Sequence, residues 1–416
     1  TWKTDFTNQY NQWKADVDRH RDLRLAEIEQ TLARSSALAQ IGFQNAVFDA
    51  GCRVGRPAAG RISTVEAITR DDVIAFHDRW WRPDGATIIL AGELPPDAAQ
   101  LVDAAFGSWT PGNQRAAHEQ TLANPAAPVV WVIDRPGSVQ ADLRIGGFGP
   151  DRLDPQWAAL QVASCAIGGA FGSRLNRVLR EELGYTYGAH AGFRPLPSHG
   201  SFVVQTSCRT EVAAPAARAA IDLLNVTDEP FTATEALDAR TFLLGIAPLR
   251  FQTADAIADE ASVLAGTGLP ASWFNDQQAQ IAAVSADQAS AAFSAAVRPE
   301  RLSVVLCEDA DQLLTGLEAQ GLAAEVVVNP VSPGHVGPRQ LGLGVAPQGF
   351  LAGKAAQAVL RQGEKRQTGK HRRHPQPAPP DDALARCPTI RFRQQERKNQ
   401  RVARHPEETA VKDERL

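Results

Sequence analysis

The sequence predicts an α+β fold built from two related units, and three observations carry that reading. Helix-period and strand-like segments alternate through most of the chain. A gapless internal repeat runs beneath them: Ile68-Thr-Arg-Asp-Asp-Val-Ile-Ala75 matches Val284-Ser-Ala-Asp-Gln-Ala-Ser-Ala291, and Arg82-Pro-Asp-Gly-Ala-Thr-Ile-Ile-Leu90 matches Arg298-Pro-Glu-Arg-Leu-Ser-Val-Val-Leu306 in the same register. At 416 residues and 44% apolar content, the chain is long enough for two cores.

Taken in order, residues 14–50 carry apolar side chains at three- and four-residue steps (Leu25, Ile28, Leu32, Leu38, Ile41) and read as helix. Thr69-Arg-Asp-Asp72 caps a second helix that runs to Trp81, with a hydroxyl cap and acidic residues in the first turn. Pro83-Asp-Gly85 ends it, and Ala86-Thr-Ile-Ile-Leu-Ala91 reads as a buried strand. A helix follows at 97–106, then a polar Pro/Gly linker at 111–127. Strands are expected at 129–134, 140–148 and 200–207. Helices are expected at 155–167, 211–226, 232–247, 254–266 and 270–281. The division is therefore 1–110 as an incomplete first unit, 111–127 as linker, 128–328 as the second unit and 329–416 as tail. The first unit is short, because little chain precedes its copy of the repeat.

Bulk properties exclude several classes. A net charge of −4 names no acidic or basic partner for the whole chain. Five widely spaced cysteines form neither a disulfide framework nor a CxxC metal site. No run of roughly eighteen apolar residues is present to span a membrane. The tail is basic and Pro-rich without helical or strand periodicity, so it is expected to be disordered, and without interleaved aromatics it does not indicate nucleic-acid binding.

Chemistry-bearing motifs concentrate in one run, Gly168-Gly-Ala-Phe-Gly-Ser-Arg-Leu-Asn-Arg-Val-Leu-Arg-Glu-Glu-Leu-Gly-Tyr-Thr-Tyr187. It reads as a glycine-marked turn, a basic amphipathic helix and the start of a strand. The glycines lack phosphate-loop spacing and suit a close helix passage or a turn. Arg174, Arg177, Arg180, Glu181, Glu182, Tyr185 and Tyr187 are its candidate site residues. One reading is a solvated charged face. The other is that Arg180 clamps a carboxylate or peptide carbonyl while a tyrosine hydroxyl donates to developing negative charge. No HExxH or HxxEH exists; His371 and His374 have ligand-like spacing but lie in the tail, and His20 with Glu27 makes at most half a site. No G-x-S-x-G elbow is present, and Cys165 reads as a packed core thiol.

The stretch Ser173-Arg-Leu through Leu179-Arg-Glu-Glu-Leu-Gly-Tyr-Thr-Tyr-Gly188 resembles the carboxy-terminal domain of the pitrilysin/insulinase family of zinc metallopeptidases, which includes the mitochondrial processing peptidase. Gly55-Arg-Pro57 with Ile62 to Gly92 resembles the close of that family's first domain, and 284–306 the close of its second. The resemblance, over about 14–325, implies duplicated metallopeptidase-like α+β units, each an antiparallel or mixed sheet covered by helices. It implies that Arg180 and Tyr187 bind peptide and support the transition state. It places Glu27, in Leu25-Ala-Glu-Ile28, at the third zinc-ligand position and His20 at that of an accessory acidic residue. The chain begins where the HxxEH helix would already have passed, and Cys52-Arg-Val-Gly55 stands where His-Pro-Tyr-Gly is usual. A lone Glu cannot hold zinc or ionise its water, so no cofactor is expected in this chain, and zinc only in a complete parent or a partner subunit. The expectation is a protein non-catalytic alone, acting as substrate-binding partner of a zinc-bearing homologous subunit. The alternatives are a fragment of an active zinc metalloendopeptidase and a structural relic. A bacterial cytoplasmic or periplasmic location follows from the resemblance.

Overall fold

In a computed structural model, residues 18–48, 53–111, 127–196 and 199–327 are described. The tail with His371 and His374, Cys52 and most of the linker lie outside them. Strands β1 (Val130–Asp134), β2 (Gln140–Gly149), β3 (Thr186–Leu196), β4 (His199–Arg209), β5 (Ser303–Glu308) and β6 (Glu325–Val327) form one mixed sheet of order β3-β4-β2-β5-β1-β6. β2 pairs antiparallel with β4 and β5, whereas β1 runs parallel to β5 and β6. This is the expected helix-covered mixed sheet, held within one unit.

Alternation along the strands sorts side chains onto two faces. One face carries Leu143, Ile145, Phe202, Val204, Val304 and Leu306 into the main core. That core is closed by α6 (Trp157–Ser164), α7 (Ala213–Leu223), α8 (Ala233–Ile246), α11 (Ala286–Ala296) and α12 (Ala310–Ala319). The helices α9 (Ala254–Thr267) and α10 (Trp273–Ala283) lie at the positions read from periodicity.

The other face carries Trp131, Ile133, Val203, Val305 and Cys307 beneath α2 (Ser35–Val47). α2 presents Ala39, Phe43, Ala46 and Val47 to the sheet, a helical stripe from the amino-terminal segment. The single helix expected over 14–50 is thus divided. α1 spans 18–32 and is largely exposed, and the chain turns at Ala33–Arg34 before α2 docks. Ser35 at the start of α2 donates its hydroxyl to Asp142 of β2, which supplies a physical reason for the break.

Along the chain, between α2 and β1, come α3 (Ile62–Ala67), α4 (Arg70–Trp80) and α5 (Ala98–Phe106). α4 and α11 have equal length and the same Ser/Thr capping box, and each is followed at the same interval by a one-turn 3-10 helix, Pro83–Gly85 or Pro299–Arg301. The strands then differ. β5 is buried throughout between β2 and β1, but residues 86–91 join no sheet, and Ile88 and Leu90 are exposed. An apolar run becomes a strand only when neighbours complete its hydrogen bonds, and none of the described strands flanks this one.

Candidate functional site

The central run leaves the core through a π-turn at Cys165–Gly169, crosses a short loop and re-enters a wide helical segment, Asn176–Glu182. A Cβ on Gly168 would lie 2.5 Å from the Ala191 Cβ and 2.7 Å from the Ala191 nitrogen, so only glycine lets this turn pass β3. The helical segment ends with Leu183 N–H donating to the Val178 carbonyl (2.9 Å) and Tyr185 N–H to that of Leu179 (2.8 Å). Gly184, at φ +63°, then turns the chain into β3.

Asn176 ties these parts together. Its amide nitrogen donates to the Ala170 carbonyl and the Ser173 hydroxyl, both at 3.2 Å, while its oxygen accepts from Ala189 N–H at 2.8 Å. That last bond falls where the β3–β4 register shifts between Thr186 and Ala189. Tyr185 packs against the core, whereas Tyr187 projects fully into solvent (100% exposed).

The charged residues of the run separate by role. Arg174 is buried: its Nε and Nη2 grip the two carboxylate oxygens of Glu235 at 2.9 Å each, and its Nη1 and Nη2 donate to the carbonyls of Glu229 and Pro230. Burial alone would raise the Glu235 pKa, but hydrogen bonds from Arg174 and Thr232 outweigh it and hold the carboxyl below its ordinary range. Arg177 pairs with Glu182 at 2.7 Å on the exposed surface, and Glu181 is exposed. Arg180 lays its guanidinium 4.1 Å over the exposed Phe171 ring.

Tyr187 lines a polar groove of about 350 Å³ with Arg144, Asp142, Thr206 and Ser207. Arg180 is not among the groove's lining residues. The groove floor is held by Asp142, whose two oxygens accept the hydroxyls of Ser35 and Ser207. The Arg144 Nη2 donates to the Ser36 carbonyl at 3.0 Å. Sequence reading passed over Arg144, although the alternation Gln140, Asp142, Arg144 against Ala141, Leu143, Ile145 on β2 marks a polar face. It likewise had no signal that Arg174, rather than its neighbours, would find a buried carboxylate.

Elsewhere, Glu27 is exposed on α1 and accepts from Arg24 at 3.0 Å, and His20 lies against Arg19. Among the described residues no group of three or more His, Cys, Asp or Glu side chains is placed to hold a metal. The donors among the described residues therefore do not fit a zinc site. Burial pushes the Cys165 thiol up to about 11, so it is a neutral core group at physiological pH, as its position on an apolar stretch suggested. No helix among the described residues is long and apolar enough to cross a membrane.

Residues 67–243 match the family model described as the peptidase M16 inactive domain. An uncharacterized zinc protease of Mycobacterium bovis is 30% identical over 236 residues, 55% of this chain and 53% of that protein. Another, from Mycobacterium leprae, is 28% identical over 195 residues, 46% of this chain and 44% of that protein. The chain thus spans about half the length of the curated relatives it matches. Among solved structures, the peptidase M16 inactive domain from Pseudomonas fluorescens superposes with TM-score 0.61 at 23% identity, over 71% of this chain and 70% of that one. A protease from Helicobacter pylori reaches 0.63 at 13% identity, over 70% and 72%. At these identities the two structures establish the fold. Residues 67–243 are thus similar in sequence to the peptidase M16 inactive domain, and the chain shares the fold of solved M16 structures.

Proposed function

We propose that this chain binds extended peptide without cleaving it alone, as the substrate-holding partner of a zinc-bearing homologous subunit. The observation that carries this reading is Tyr187, fully exposed on the rim of a polar groove, at the start of a strand whose entry is set by Gly184 and Asn176. A phenol held there can donate to a peptide carbonyl, and Arg180, seven residues earlier, supplies a guanidinium for a carbonyl or carboxylate. Glu27 would be the remnant of a third ligand position, and Arg177 and Glu181, on the same helical segment as Arg180, would take supporting roles. The recurring capped helix and turn support reading 1–110 as an incomplete first metallopeptidase-like unit and 128–328 as a second, joined by 111–127. Nucleic acid has no place in this reading, and a bacterial cytoplasmic or periplasmic location accompanies it.

A second reading is favoured by the relatives themselves, which are named zinc proteases and are about twice as long as the matched segments. On that reading the chain is a piece of a zinc metalloendopeptidase. Calorimetric titration with an unstructured peptide separates the two. The binding reading expects Arg180→Ala and Tyr187→Ala each to weaken affinity roughly tenfold with the fold intact. Zinc-dependent cleavage by the purified chain would replace it with the second reading, and absence of binding would remove both substrate roles.

A further inference from the structure

The face of the sheet that α2 covers is apolar on β1 and β5, whereas on β2, β4 and β3 it carries polar side chains beside the apolar Val203, Phe148 and Leu196. Directly opposed residues in these antiparallel ladders share a face, so the pairs Gln140–Arg209, Asp142–Ser207, Arg144–Gln205, His190–Gln205 and Arg194–Ser201 all lie on this side. It therefore carries three arginines and a histidine against one carboxylate. That carboxylate, Asp142, is already occupied by two serine hydroxyls.

None of the three arginines forms an ion pair among the described residues. Arg144 is only 7% exposed and its Nε has no partner, while its Nη1 and Nη2 reach only the carbonyls of Leu143 and Ser36. Desolvation lowers its pKa, Asp142 counters that, and the nearby Arg194 lowers it further. A half-buried set of like charges of this kind is relieved by an anion. Arg194, Arg144 and Arg209 lie level with Ser201, Gln205 and Arg209 of β4, steps of four residues or roughly 13 Å.

We propose that this half-face docks an extended acidic peptide, with one carboxylate seated in the groove between Arg144 and Tyr187 and others on Arg194 and Arg209. The proposal rests on the peptide-binding reading above and names the substrate class of the same site. An extended chain turns alternate side chains to one side, so acids at every fourth position meet successive arginines. Gln205 and Ser207, on the same face as Arg144, also line the groove.

The test uses a fluorescein-labelled peptide of about twelve residues with glutamate at every fourth position, and its glutamine counterpart. By anisotropy at about 50 mM salt, the acidic peptide is expected to bind roughly tenfold more tightly, with the difference collapsing near 1 M. Arg194 and Arg209 are exposed, so Arg194→Gln with Arg209→Gln leaves the fold intact and is expected to abolish most of the preference. Arg144→Gln is read beside its thermal midpoint, because Arg144 also holds Ser36. Equal binding of the two peptides, or an unchanged preference in the double variant, overturns the acidic class while leaving peptide binding standing. Failure of both peptides overturns both. Tighter binding of a single-stranded oligodeoxythymidylate marks a general polyanion surface and also overturns the proposal.

Discussion

Replacing Arg174 with Ala isolates what this arginine does for the run that carries Tyr187. Its side chain is 2% exposed and makes four hydrogen bonds, two of them to Glu235. Removing one partner of a buried pair costs about 3–5 kcal/mol. The Glu235 side chain is 25% exposed and keeps Thr232 as a donor, so water and that hydroxyl recover part of the loss. The lower end, ~3 kcal/mol, is therefore expected, with a fall in thermal midpoint of roughly 6–12 °C for a unit of this size. Arg177→Ala, which breaks only an exposed pair with Glu182, should cost under about 1 kcal/mol. The Glu235 carboxyl lies below its ordinary pKa in the fold, so its contribution is present above the unfolded value and fades as pH falls through the folded one. Arg174→Ala should accordingly flatten the acid limb of the stability profile. Urea unfolding at several pH values measures all three quantities. Equal losses for the two arginines, or an acid limb unchanged in Arg174→Ala, would refute the reasoning.

Other substitutions test separate parts of the account. Phe43→Ala should destabilise by about 3–5 kcal/mol in urea unfolding, because the ring is 1% exposed between α2 and the sheet. Gly168→Ala should cost about 1–3 kcal/mol by the same method, since its Cβ collides with backbone and side chain of Ala191. Glu308 is fully buried, and desolvation raises its pKa despite a hydrogen bond from Thr210. A raised acid contributes below its unfolded pKa and loses that contribution as pH rises, so Glu308→Gln should gain in thermal midpoint over wild type at pH 8 but not at pH 4.

What could be read in the sequence was local chemistry. The Thr69 and Ser285 caps, the strand at 130–134 and the helix at 233–246 follow from hydroxyl caps and apolar spacing, which act within a few residues. Residues 86–91 share the apolar pattern of β5 yet join no sheet, because pairing depends on strands elsewhere. The break before α2 depends on Asp142, far along the chain, and the burial of Arg174 depends on Glu235. The site divides the same way. The glycine-marked turn that opens at Gly168 and the strand start near Tyr187 were legible from the motif, whereas Arg144 and Asn176 acquire their places only when β2, β3 and β4 meet.

The central claim is that the groove beside Tyr187 holds peptide and the chain alone leaves it uncut. A single anisotropy trace of the labelled acidic peptide with the purified chain and added zinc tests both halves, since binding raises the signal and cleavage lowers it. The account predicts a rise to a steady plateau with wild type and little rise with Tyr187→Ala. A signal that climbs and then decays, or an equal plateau for Tyr187→Ala, would contradict it.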